Sequence, residues 1–279
     1  MTLPVFRSYT QEQLDAQYDQ HTLVPDLAPY LKRWQVGGRR AKDKLIVREA
    51  IPYGSGPEET VDVFPPASPG GAMHVHYHGG AWRALSSKEA WFLAEPWVTS
   101  GYTFVSVNFG LVPQVSLATQ VKQARKALAW CHKKASDLKA DSGSIIVSGH
   151  SSGAHLAAMA ALADWGETRE KQPDVKTVIV ASGIYDLVPV RLSARNKYLS
   201  LSESEATDLS PIRHLKERAP FCMVICSRRE LQEFQRQSEE FAAALRRRGS
   251  VRHQAVKTGT HFDTWDLIAP DLLEPAKVT

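Results

Sequence analysis

Between the apolar run Ile145-Ile146-Val147 and the alanine-rich stretch Ala154-His155-Leu156-Ala157-Ala158-Met159, the chain has only Ser148-Gly149-His150-Ser151-Ser152-Gly153. A short apolar run bounded by turn residues suits a strand buried on both faces, and an alanine-rich stretch favours helix. The small residues between them must therefore turn the chain sharply from strand to helix. The same alternation runs through most of the sequence. Strands are expected at residues 45–47, 61–64, 73–77, 102–108, 144–147, 176–181, 221–226 and 251–256, and helices at 88–100, 115–138, 154–165, 233–248 and 264–273. Several of these strands are apolar at every position, which requires cover on both faces. The expected fold class is α/β, a mainly parallel central sheet flanked by helices. No repeat or low-complexity linker divides the 279 residues, so 1–279 reads as one domain. Two segments stand outside the alternation. The polar residues 1–40 are expected to form an N-terminal lid or arm, and residues 186–219 a cap insertion.

Composition narrows the classes of partner. With 43% hydrophobic and 23% charged residues the chain can bury a sizeable core. The net charge of +4, from 34 basic against 30 acidic residues, is weak and scattered. Its densest run, Arg246-Arg247-Arg248, closes a helix where cations suit the dipole, so nucleic acid is not an expected partner. Neither a signal peptide nor a membrane span is expected, because no stretch reaches ~18 apolar residues and the N-terminus has no apolar core. Three cysteines, Cys131, Cys222 and Cys226, fit a reducing cytoplasm. Cys222 and Cys226 share one strand face and read as small buried hydrophobes. Oligomeric state is not set by these residues, and a homodimer is compatible with them.

Three motifs carry the chemistry. Gly149-His150-Ser151-Ser152-Gly153 fits G-x-S-x-G at the carboxyl end of a strand, where open parallel sheets place reactive groups. Ser151 is then the nucleophile and Ser152 a backbone oxyanion donor. Upstream, His78-Gly79-Gly80-Ala81-Trp82 also follows a strand, and its N–H groups at Gly79, Gly80 and Ala81 suit a second oxyanion arm. A serine hydroxyl needs a base, and the base an orienting acid. Of the ten histidines, only His261 follows the last strand. For the acid, Glu230 is the choice, with Glu233 and Asp186 as alternatives; Ser227 with Glu230 also fits a capping box for the next helix. Trp82, Phe109 and Tyr185 lie near strand ends as candidates for an aromatic substrate pocket. His74, His76 and His78 alternate and so are expected to share a face, but no carboxylate cluster stands nearby in sequence, and no metal or other cofactor is expected.

Together these residues resemble the α/β-hydrolase superfamily, and within it the kynurenine formamidase (arylformamidase) branch. The branch's HGG-x-W segment is matched by His78, Gly79, Gly80, Ala81 and Trp82, and its elbow is similar to Gly149-His150-Ser151-Ser152-Gly153-Ala154-His155-Leu156. Further similarity lies in Ser182-Gly183-Ile184-Tyr185-Asp186-Leu187, in Glu233-Phe234-Gln235-Arg236-Gln237, and in the N-terminal stretch from Tyr9 to Asp19. Two departures stand out. Cys226-Ser227-Arg228-Arg229 replaces the usual glycine and acidic residues, and Phe109-Gly110-Leu111 replaces a tyrosine-led stretch. The resemblance implies cofactor-free hydrolysis of an N-formyl aryl amine such as N-formylkynurenine, with aryl esters and other small aromatic amides as neighbouring substrates. Three other readings compete: a carboxylesterase on the same fold, a hydrolase-fold receptor without activity, and a metal-dependent amide hydrolase. The last is suggested by Gly259-Thr260-His261-Phe262-Asp263, but the further downstream histidine it needs is missing.

Overall fold

In the strand Gly71–Tyr77 the side chains divide by period two. Met73, Val75 and Tyr77 enter one apolar cluster, while His74 and His76 face the other, against Trp97 and Trp265. That division is the fold in miniature: one sheet between two cores. A computed structural model describes residues 3–68, 70–166 and 170–273. Eight strands, β1 (Arg48–Pro52), β2 (Thr60–Phe64), β3 (Gly71–Tyr77), β4 (Thr103–Val107), β5 (Ala140–His150), β6 (Thr177–Ala181), β7 (Phe221–Ser227) and β8 (Val251–Val256), form a sheet of order β1-β2-β4-β3-β5-β6-β7-β8. The β1–β2 and β2–β4 pairings are antiparallel and the other five are parallel.

Among the described residues, ten α-helices flank the sheet or cross its carboxyl edge: α1 (Gln11–Ala16), α2 (Ala28–Lys44), α3 (Ala94–Thr99), α4 (Leu117–Lys133), α5 (Ser152–Ala161), α6 (Val188–Leu192), α7 (Asn196–Leu199), α8 (Glu203–Asp208), α9 (Gln232–Arg246) and α10 (Asp263–Asp266). The core on one face is closed by α4, α5 and α9, and that on the other by α2, α3 and α10. No described helix is long and apolar enough to cross a membrane.

Two expectations needed correction. The strand expected at 45–47 is instead the short connection that follows α2, and β1 begins at Arg48. As an exposed edge strand, β1 carries no apolar run, while Leu45 and Val47 are partly buried against the α2 core and so imitate a strand pattern. His78 does not share a face with His74 and His76. The chain has left the strand by then, and the His78 ring stacks on Phe109 at 4.3 Å and 5°.

Tight packing at the β5–α5 turn explains its small residues. A Cβ on Gly149 would lie 2.2 Å from the Gly153 carbonyl oxygen, and one on Gly153 2.1 Å from that of Tyr77. Both contacts are with backbone, which cannot swing aside. Gly153→Ala is accordingly expected to lower stability by about 2–3 kcal/mol despite alanine's better helix propensity. The shift in urea midpoint at constant slope measures it, and an unchanged midpoint would contradict this packing.

Candidate active site

The carboxyl ends of five parallel strands converge on one place. After β5, Ser151 adopts φ +55° and ψ −123°, a strained conformation that lifts its side chain out of the turn. Its N–H donates to the Ala181 carbonyl at 2.9 Å, tying the turn to β6. The loop after β8 brings His261 Nε2 to 2.9 Å from Ser151 Oγ. Glu230, after β7, lies behind that ring, with Oε1 3.2 Å from His261 Nδ1. Nδ1 is not aimed along this vector, so the two groups are in contact without an aligned hydrogen bond. Such contacts commonly tighten when substrate binds.

Glu230 is buried and anchored by neutral donors. The Ser182 hydroxyl donates to Oε1, and the Cys226 thiol donates to Oε2 at 3.1 Å. Burial first, and the neighbouring Glu230 carboxylate second, push the Cys226 thiol well up, so it stays protonated as a donor. The capping-box alternative for Glu230 is not what forms, since Leu231 caps α9 without a side-chain bond. The alternative acids are engaged elsewhere. Glu233 holds Arg236 at 2.6 and 2.8 Å and accepts from the Tyr18 hydroxyl at 3.2 Å, whereas Asp186 pairs with Arg213 at 3.2 Å.

On the other side of Ser151 the loop after β3 turns through Gly80, Ala81 and Trp82, all at positive φ. The N–H groups of Gly80, Ala81 and Ser152 have no acceptor among the described residues. The Gly79 backbone packs against the elbow, where an added Cβ would lie 3.4 Å from Ser151 Cβ. The Trp82 N–H donates to the Ser152 hydroxyl at 3.1 Å, which clamps this loop to the elbow. Type and spacing of residues gave no hint of that clamp.

A cavity of about 920 Å³ opens over Ser151 and His261. None of the three aromatics expected to line it does so. Trp82 is buried and bonded to His155, Phe109 stacks beneath His78, and Tyr185 stacks on Phe241 at 3.9 Å and 4°. The aromatic walls are Tyr18, Trp34, Tyr198, Phe262 and Trp265. Much of the lining comes from residues 15–34 and 194–198, outside the sheet.

The histidines of β3 are accounted for without a metal. Ser148 Oγ lies 2.5 Å from His74 Nε2 and 2.7 Å from His76 Nδ1, all three fully buried. Burial lowers His74 to about 3 and keeps His76 well below its usual value, so both rings are neutral. Among the described residues no three His, Cys, Asp or Glu side chains are grouped to hold a metal ion.

Residues 61–245 match the BD-FAE family, a span that leaves out the cavity wall at residues 15–34. The chain is 30% identical over 271 residues to kynurenine formamidase of Danio rerio, covering 92% of this chain and 91% of that protein. It is 27% identical to esterase LipQ of Mycobacterium tuberculosis, covering 78% of this chain and 57% of that one. In fold it is similar to the crystal structure of esterase B from Lactobacillus rhamnosis, with a TM-score of 0.69, 16% identity, and coverage of 90% and 92% of the two chains.

Proposed function

We propose, from the premise that this chain belongs to the BD-FAE family and to the kynurenine formamidase-like branch of the α/β-hydrolases, that it hydrolyses the C–N bond of an N-formyl aryl amine through an acyl-serine intermediate. The chain is a hydrolase of amides or esters. One observation carries the finer reading: Ser151 Oγ and His261 Nε2 sit 2.9 Å apart on the floor of a cavity with aromatic walls. An aryl amide fits such walls, with its formyl carbon against Ser151.

His261 Nε2 accepts the Ser151 proton as Oγ adds to the carbonyl carbon. Glu230 orients the ring and balances the charge that His261 acquires. Backbone N–H groups at Gly79, Gly80, Ala81 and Ser152 receive the oxyanion. Collapse breaks the C–N bond, and His261 returns its proton to the departing amine. Water, deprotonated by the same histidine, then attacks the acyl-serine and releases formate. In this proposal residues 1–40 and 186–219 act as a lid on a single hydrolase domain, and three buried thiols suit a cytoplasmic protein.

The test has two arms. A fluorophosphonate is expected to label Ser151 and no other residue, and absence of that adduct would defeat the serine mechanism. Turnover of N-formylkynurenine is expected alongside turnover of p-nitrophenyl acetate, both insensitive to chelators. Ester hydrolysis with no formamide hydrolysis would leave the carboxylesterase reading in its place.

A further inference from the structure

We propose that His150, the residue before the nucleophile, is a positioning residue whose Nε2–H holds the backbone carbonyl of His261 and so sets the approach of His261 to Ser151. The proposal rests on the reading of Ser151 and His261 as nucleophile and base. His150 is buried, and its Nε2 lies 2.8 Å from the His261 carbonyl oxygen. A carbonyl oxygen only accepts, so the proton of this ring is on Nε2 and Nδ1 is bare. Nδ1 is buried and has no partner among the described residues, so the bond to His261 is the one polar attachment the ring makes. Burial holds His150 well below the usual histidine range and keeps that single tautomer.

The other contact of the ring reaches the same loop. His150 stacks on Trp265, four residues beyond His261, with centroids 5.0 Å apart and planes at 6°. Trp265 is itself fixed from behind. Its indole N–H donates to His76 Nε2 at 3.0 Å, which puts the His76 proton on Nδ1, facing Ser148 Oγ at 2.7 Å. The Ser148 hydroxyl is then left to donate to His74 Nε2. Each member of this chain can bond in only one sense.

The His261 carbonyl also lies 2.8 Å from Thr264 Oγ1, and Thr264 bonds the Ser182 hydroxyl after β6 at 2.6 Å, a tether to the neighbouring strand rather than to the residue beside the nucleophile. His150 fixes the loop directly against the nucleophile, because it is joined to Ser151 by a peptide bond. The two neighbours of the nucleophile therefore divide a task. Ser152 clamps the oxyanion loop through the Trp82 N–H, and His150 clamps the histidine loop.

Three substitutions separate positioning from packing. His150→Gln carries an amide N–H about as far from the backbone as Nε2. His150→Phe keeps the ring and its stack on Trp265 but has no donor. His150→Asn has a donor that is too short to reach. On sites titrated with a fluorophosphonate, Phe and Asn are expected to lose about 10–100-fold in kcat with KM unchanged, the cost typical of a misplaced reacting group. The rate of Ser151 phosphonylation should fall by the same factor, and Gln should stay within about threefold of wild type. If the Phe variant does not fold, the Asn–Gln pair carries the comparison. Packing alone would lower melting temperature yet leave kcat per titrated site unchanged; that result, or a Gln variant as slow as Phe, would overturn the assignment. A wild type that does not label at Ser151 overturns the mechanism underneath, whereas labelling at equal rates in all variants overturns only the role of His150.

Discussion

Replacing Ser151 with alanine is expected to lower kcat on N-formylkynurenine or an aryl ester by about 10⁴–10⁶-fold, with KM within about threefold of wild type. The size follows from how few groups can substitute. Ser152 has a hydroxyl next door, but it accepts from the Trp82 N–H at 3.1 Å and is held on that loop. Ser148, with two imidazoles at 2.5 and 2.7 Å, is fully buried behind the sheet and cannot meet a substrate. What remains is water attack helped by the oxyanion donors, a residual that persists when a nucleophile is removed. KM should hold because the aromatic walls stay in place. His261→Ala should fall nearly as far, since nucleophile and base act as one unit and their losses do not add. A Ser151→Ala protein retaining a tenth or more of wild-type kcat, on about the activity scale above, would mean that the chemistry lies elsewhere.

A second large effect concerns stability in mild acid. Three buried histidines are held neutral by desolvation: His74 is pushed down to about 3, and His78 and His155 to about 4. His76 and His150 are lowered by burial in the same direction. Unfolded, each would protonate near 6.5. Below that value the unfolded chain binds more protons than the folded one, so stability drops as pH falls, until the folded imidazoles themselves titrate. By pH 5 each such group costs about 2 kcal/mol, and the three with assigned values together about 6 kcal/mol. His76 and His150 add to that loss. One group opposes it: burial raises the Asp266 carboxyl to about 6, so the fold takes up that proton first. Because domains are stable by only about 5–15 kcal/mol, cooperative unfolding is expected between about pH 6 and 5. Urea midpoints taken at pH 7.5, 6.5 and 5.5 test this, and a flat series would contradict the neutral buried rings.

The groups proposed for the chemistry were legible because the fold fixes their order. A serine in a small-residue turn after one strand and a histidine after the last are marked by residue type and sequence position alone. The acid was less so, because Glu230 and Glu233 are three residues apart. Only packing shows that Glu233 turns toward Tyr18 and Arg236 while Glu230 faces His261. The pocket was not legible. An aromatic near a strand end is as suited to the core as to a cavity, and Trp82, Phe109 and Tyr185 all went to the core. The aromatic walls that do form come largely from elements whose placement depends on long-range docking. Tyr18, for example, is set by its bonds to Glu233 and Gln237 on α9.

The division of labour between sheet and wall has a consequence for divergence. The reacting groups stand on turns between buried strands, where almost any change costs stability. The cavity lining at residues 15–34 and 194–198 belongs to segments that contribute no strand to the sheet. Mutations accumulate in the second set far more freely than in the first. Descendants of one such ancestor would therefore keep a common reaction while drifting apart in what they accept, and sequence change would be written mostly into diet rather than chemistry.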